Sequence, residues 1–270
     1  MELGLRGKVV LVTGGGMGVG RAISRTLAHE GAKVAVNDIL MERAHAVAGE
    51  IKSEGGTAMA CVADITDLDA VNSMVSAIEQ QLGPVDILIN NAGVVPERRT
   101  GEIGLPTFPE MAPKYWRKIV DLNYYGVMNC VSATVGKMMT RKSGKILSIV
   151  SDAGRIGEPR MAVYSGAKAA IMGFSKALAK EMGKHGINVN TVSLSAVAHE
   201  HPIASFQRPD ATVENDEMLR KVLRSYPIGE GLKRLTSPQD AADAVAFLVS
   251  DRAAYITGQC LAVNGGFTMV

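Results

Sequence analysis

Tyr164 and Lys168 stand four residues apart, so on a helix their side chains leave the same face. A tyrosine has a reference pKa of about 10, and near pH 7 only about one in a thousand is phenolate. Lowering that value by two to three units asks for about 3–4 kcal/mol of preferential phenolate stabilisation. An ammonium group one turn away supplies part of it. The pair therefore points to proton transfer at an oxygen. Ser151, thirteen residues before Tyr164, adds a hydroxyl that can hold the same oxygen.

A second constellation lies at the N-terminus. The run Val9–Val12 leads into Thr13-Gly14-Gly15-Gly16-Met17-Gly18-Val19-Gly20 and then into a helical pattern. The spacing is G-x-x-x-G-x-G rather than G-x-G-x-x-G, but the physics is shared. Glycines let the backbone turn sharply and let a pyrophosphate approach, and the helix N-terminus offers free N–H groups and a positive dipole end. Asp38 lies twenty residues beyond Gly18, where a carboxylate holds the ribose hydroxyls of NAD and repels a 2′-phosphate. No Lys or Arg follows it until Arg43, so NAD is expected rather than NADP. Asp64 ends the third apolar run in the same way. It either accepts from an adenine amine or starts the next helix. The positive nicotinamide of an oxidised dinucleotide would supply the rest of the phenolate stabilisation.

The elements that must position these residues alternate. Apolar runs at Val9–Val12, Val34–Val36, Met59–Val62, Val85–Ile89, Ile146–Val150, Ile187–Val192 and Leu261–Val263 are separated mostly by stretches of helical length. Helical patterns include Arg21–Glu30, Met41–Glu54, Leu68–Leu82 and Tyr164–Lys184, with a short one near Asn215–Arg224. Alternation of this kind means βαβ units and a parallel sheet, and runs apolar throughout suit strands covered on both faces. The expectation is an α/β chain: a single doubly wound Rossmann-type domain over residues 1–270, with a mostly parallel seven-stranded sheet. Two loops after strand ends, Val94–Pro113 and Ser195–Tyr226, are long, and ligands of open α/β sheets bind beyond those ends. The second is the expected substrate loop.

Composition narrows the classes. Lys plus Arg (29) nearly balance Asp plus Glu (27), which excludes an electrostatic nucleic-acid binder. No apolar run is long enough for a membrane span, and none at the N-terminus resembles a signal peptide, so a cytoplasmic protein is expected. Cys61, Cys130 and Cys260 are widely spaced, which fits neither a disulfide framework nor a zinc site.

Asn90-Asn91-Ala92-Gly93 ends the fourth strand. With Thr13-Gly14-x-x-x-Gly18-x-Gly20, Asp64, Asn123, Ser151, Tyr164-x-x-x-Lys168, Ile256-Thr257-Gly258 and Val263-Asn264-Gly265-Gly266, the chain resembles the short-chain dehydrogenase/reductase family along essentially its whole length. The resemblance implies an NAD-dependent enzyme interconverting a secondary alcohol and a ketone, with hydride chemistry belonging to the cofactor. It implies Tyr164 as general acid/base and Lys168 as its partner and a ribose ligand. It gives Ser151 the substrate oxygen, and Asn123 a water linking Lys168 to solvent. The cofactor contacts it implies are Gly14, Gly16, Met17, Gly18, Asp38, Ile39, Asp64, Ile65, Asn91, Ala92, Gly93, Tyr164, Lys168 and Val197. It also implies a homo-oligomer, usually a tetramer, built partly from the helices of Lys114–Met139 and Tyr164–Lys184.

The chain departs from that pattern at Leu194-Ser195, where the family commonly has Pro-Gly, and at His199, where it has threonine. Proline's fixed φ and glycine's freedom at positive φ are both lost. His199-Glu200-His201 lacks the H-E-x-x-H spacing of a zinc protease, and no metal site is expected. Arg98, Arg99, Arg155 and Arg160 flank the expected cleft mouth, where they either meet an anionic substrate or serve as ordinary surface charges. Two other readings keep the residues but change the function. One is a reductase of 3-oxoacyl thioesters on carrier protein or CoA; the other is a cofactor-sensing protein without turnover.

Overall fold

In the computed structural model, residues 2–95, 97, 104–198, 200 and 205–270 are described. Seven strands form one sheet: β1 (Val9–Val12), β2 (Lys33–Asp38), β3 (Thr57–Val62), β4 (Ile87–Asn90), β5 (Gly144–Ser151), β6 (Ile187–Leu194) and β7 (Cys260–Val263). Their order is β3-β2-β1-β4-β5-β6-β7. Every pairing is parallel, from Val10 beside Val34 and Ile87 to Leu194 beside Val263. The chain starts at β1, runs outward to β3, then returns to lay β4 on the other side of β1. This is the α/β doubly wound sheet expected. Its order reverses between β1 and β4, where such sheets bind ligands.

Among the described residues the α-helices include α1 (Gly18–His29), α2 (Met41–Ser53), α3 (Leu68–Gln81), α4 (Pro113–Val120), α5 (Gly126–Arg141), α6 (Ala153–Ile156), α7 (Ala162–Met182), α8 (Glu217–Leu223), α9 (Pro227–Leu232) and α10 (Pro238–Val249). Val10, Val12, Val34 and Val36 pack on one side of the sheet with Ile23, Leu27, Val47, Ile51 and Val245 of α1, α2 and α10. Val9, Leu11 and Ala35 pack on the other with Val71, Ile78, Val131, Met138 and Ile171 of α3, α5 and α7. Successive strand residues thus enter opposite cores, which is why the strands read as unbroken apolar runs.

Helix ends follow local chemistry. Asp67 caps α3 by accepting from Asp69 and Ala70 N–H. Ser237 and Asp240 form a reciprocal capping box at α10, with Pro238 in its first turn. One expectation is corrected. The long helix implied over Lys114–Met139 is interrupted, because α4 and α5 are joined by a π-helical segment, Asp121–Tyr125. There Gly126 N–H donates to the Asp121 carbonyl, five residues back. Apolar periodicity cannot show one extra residue in one turn.

Candidate active site

A cleft of about 500 Å³ runs along the C-terminal ends of β1, β2, β4, β5 and β6. Its floor at one end is the glycine turn after β1. Gly14 has φ +60° and Gly18 φ +51°, a region in which a side chain is strained. A Cβ at Gly14 would come within 3.0 Å of Ala92 Cα, and one at Gly20 would strike the Gly14 carbonyl. Glycine is required there by close approach of the turn to α1 and to β4. Met17, extended at the N-cap of α1, makes no side-chain cap, so the first N–H groups of the helix stay open. That is a cradle for an anion.

Thr13 and Asn91 lock this turn. Thr13 Oγ1 accepts from the N–H groups of Asn91 (3.0 Å) and Ala92 (3.2 Å). Asn91 Nδ2 donates to the carbonyls of Thr13 and Gly14, both at 3.0 Å. Asn91 was expected as a cofactor contact. It lines the cleft, but its amide is committed to shaping the turn.

Asp38 ends β2 and is 6 % exposed. Its Oδ1 accepts from Leu40 N–H at 3.1 Å. Gly16 does not line the cleft as expected. A Cβ there would meet Asp38 Oδ2 at 2.7 Å and Arg43 Cβ at 2.6 Å, so its small size seats α2 against the glycine turn. Arg43 lines the same cleft, together with Ile39 and Leu40. It is five residues from Asp38 in sequence, but the first turn of α2 folds it back toward the carboxylate. A cation thus stands near Asp38 that its distance in sequence does not suggest. Of the two readings of Asp64, the helix-start one is corrected, because Asp67 takes that place. It does not cap α3, and its Oδ1 accepts from Thr66 N–H (2.9 Å) and Thr66 Oγ1 (2.8 Å) while the residue stays exposed at the cleft edge. Ile65, beside it, is buried under the cleft wall.

The far end of the cleft holds Gly93, Ser151, Tyr164, Lys168, Leu194, Ser195 and Val197. Ser151 is the last residue of β5, and its Oγ accepts from Ala153 N–H at 3.2 Å. The hydroxyl hydrogen is thereby directed to another acceptor. Tyr164 and Lys168 share a face of α7, with Lys168 Nζ 5.7 Å from the Tyr164 ring centroid. Lys168 is 4 % exposed and donates to the Ile149 carbonyl at 2.9 Å. Burial pulls its amine down to about 8.

Asn123 lies behind this wall, not on it. It is buried in the π segment and donates to the Ile119 carbonyl at 3.0 Å, while its Oδ1 has no hydrogen-bond partner among the described residues. A Cβ on Gly93 would lie 2.9 Å from both Asn123 Oδ1 and Lys168 Nζ. The two polar groups therefore converge on one glycine. Beside Tyr164, an apolar cluster of Val95, Met111 and Ile119 packs with Tyr115, Trp116 and Val163.

Of the arginines expected at the mouth, Arg155 turns inward, with NH1 3.5 Å from Asp152 Oδ1, and Arg160 donates to the Leu105 carbonyl at 2.8 Å. Arg98, Arg99, His199 and His201 lie outside the described residues. Among the described residues no three His, Cys, Asp or Glu side chains gather as metal ligands, and no helix is long and apolar enough to cross a membrane. Arg43, Leu122 and Gln207 line the cleft without having been singled out from the sequence as cofactor or substrate contacts. Arg43 alone carried a signal there, as the first cation after Asp38.

A parallel sheet reversing at β1 and β4, a glycine turn at that point, and a serine, tyrosine and lysine at the cleft's other end define a nucleotide-dependent oxidoreductase. Comparison with known proteins agrees. Residues 8–208 match the short chain dehydrogenase family, and the chain belongs to that family. The 3-oxoacyl-[acyl-carrier-protein] reductase FabG of Escherichia coli (strain K12) is 36 % identical over 269 residues, covering 99 % of this chain and 100 % of the relative. FabG of Staphylococcus aureus (strain Mu50) is 36 % identical over 263 residues, 97 % and 98 % of the two chains. The 2,3-dihydro-2,3-dihydroxybenzoate dehydrogenase of Bacillus subtilis (strain 168) is 34 % identical over 266 residues, 98 % of each.

Proposed function

We propose that this oxidoreductase uses NAD(H) and interconverts a secondary alcohol and a ketone, with Tyr164 as general acid/base. The observation that supports this best is that Ser151, Tyr164 and Lys168 share one cleft with Asp38 and the glycine turn. A bound nicotinamide dinucleotide supplies the hydride. The N–H groups at the start of α1 hold its pyrophosphate, Asp38 Oδ2 its ribose, and Ile65 with Ala63 the adenine side of the cleft. In reduction, Tyr164 gives its proton to the carbonyl oxygen while Ser151 donates a hydrogen bond to the same atom. In oxidation both run backwards. Lys168 stabilises the phenolate through its charge, and Asn123 Oδ1, an acceptor with no partner among the described residues, holds the water through which Lys168 exchanges protons.

The preferred substrate class is a 3-oxoacyl thioester. Relatives named for that reaction span both chains almost completely at 36 % identity. The relative named for a cyclic dihydroxybenzoate gives a cyclic alcohol as the second reading. We further propose that the chain works as a single cofactor- and substrate-binding domain, in a cytoplasmic homotetramer.

The test is NADH or NADPH absorbance with acetoacetyl-CoA and a set of cyclic ketones. Wild type should oxidise NADH, and Tyr164→Phe should lose at least 100-fold in turnover with NADH affinity within threefold. A fully active Tyr164→Phe variant would refute the assignment. Asp38→Ala should weaken NADH more than NADPH, and equal weakening would remove the cofactor preference. Light scattering should give four times 28.5 kDa.

A further inference from the structure

Asp152 follows Ser151 and is 1 % exposed, yet no step above uses it. Its Oδ1 accepts from Ser193 Oγ on β6 at 2.5 Å and lies 3.5 Å from Arg155 NH1. Its Oδ2 accepts from Asn264 Nδ2 at 2.6 Å. Its own N–H donates to the Leu194 carbonyl at 2.9 Å, and its carbonyl accepts from Arg155 and Ile156, closing α6. One residue therefore ties together the C-terminal ends of β5, β6 and β7. The Ala153 N–H that fixes Ser151 Oγ belongs to the turn it closes.

Beyond β7, Asn264 organises the tail. Its Nδ2 also donates to the Thr268 carbonyl at 3.0 Å, and its Oδ1 accepts from Gly266 N–H at 3.0 Å. That turn places Phe267 flat on Tyr226, with ring centroids 4.9 Å apart and 16° between planes. The Tyr226 hydroxyl in turn accepts from Ala196 N–H at 3.4 Å. The tail thus reaches the cleft by two arms. One runs through Asp152 to Ser151, the other through Tyr226 to the Leu194-Ser195-Ala196 bend.

We infer that Asp152 is a positioning residue through which the C-terminal tail, residues 264–268, sets the Ser151 hydroxyl. Geometry separates this from simple core packing. A buried carboxylate with two donors and an arginine facing it is costly to leave half satisfied, and its oxygens face particular partners. Asp152→Asn keeps the shape but removes the charge facing Arg155 and one acceptor. Asn264→Asp sets two carboxylates against each other. Asp152→Asn with Asn264→Asp restores an amide facing a carboxylate.

The inference rests on the proposed role of Ser151, so two readouts are needed. The first is turnover of acetoacetyl-CoA. Asp152→Asn and Asn264→Asp should each lower kcat at least tenfold with KM for NADH within threefold, and the double variant should turn over faster than either parent, short of wild type because a carboxylate at 264 cannot donate to the Thr268 carbonyl. The second is amide hydrogen exchange, which needs no substrate. Asn264→Ala, the mildest change, should speed exchange at Ala153–Ile156 at least tenfold and leave α2 unchanged. Unaltered exchange at Ala153–Ile156, or a double variant no better than its worse parent, would overturn the inference. A wild type that turns over no ketone would overturn the functional reading instead, and exchange alone would then decide.

Discussion

Replacing Lys168 by Met should make the cofactor-free protein more stable at neutral pH, by an amount that fades in alkali. Burial holds the Lys168 amine at about 8, against an ordinary 10.5. At about 1.36 kcal/mol per pKa unit, that displacement means the fold carries about 3 kcal/mol of penalty for keeping the ammonium inside at pH 7. Methionine fills similar space and removes the charge. It also removes the bond to the Ile149 carbonyl, returning about 1 kcal/mol, so a net gain of about 2 kcal/mol is expected below pH 8. The sign with pH is fixed by proton counting. Between about 8 and 10.5 the unfolded chain holds a proton that the folded chain has released, so wild-type stability rises with pH through that window. The penalty has vanished above 10.5. Urea unfolding of both proteins at fixed concentration, from pH 7 to 10.5, reads this directly. The difference between variants matters, not either curve alone, because Cys61 and Cys130, pushed up to about 12, work oppositely above pH 9. A gap that stays constant across the range would refute the reasoning.

Two further outcomes follow from the same geometry. Asn91→Ala should raise the dissociation constants of NADH and NADPH alike, by about tenfold, because it frees the carbonyls of the glycine turn rather than deleting a ligand; a change in preference between the two, seen by fluorescence titration, would contradict this. At pH 8 a thiol reagent should modify Cys260 quickly and leave Cys61 and Cys130 unreacted until the protein unfolds, since burial pushes both thiols up to about 12; two or three fast thiols in the native protein would contradict it.

Much of this architecture could be read from residue order because burial on both faces writes itself into composition. Runs such as Val9–Val12 are apolar throughout only when both neighbours are protein. Residues whose role is set by main chain, such as the glycine turn, were legible too, since few alternatives satisfy a positive φ. What stayed hidden depends on three-dimensional return. Arg43 comes back beside Asp38 only after a helical turn, and no spacing shows that the Asn91 amide also braces the turn through Thr13 and Gly14. Asp152 was silent because the partners of its carboxylate come from positions 155, 193 and 264, and no spacing rule spans such distances.

The π segment at Asp121–Tyr125 has the arithmetic of a single inserted residue. Removing one residue there would give α4 and α5 a regular ladder, but would rotate everything after it by roughly 100°. Cys130, Val131 and Met138 would then leave the sheet, or Ile119 would leave Tyr164. No side-chain substitution lies between these two states. The register that brings the buried amide of Asn123 beside Gly93 is therefore tied to the length of this segment, and a deletion there would shift it as a whole.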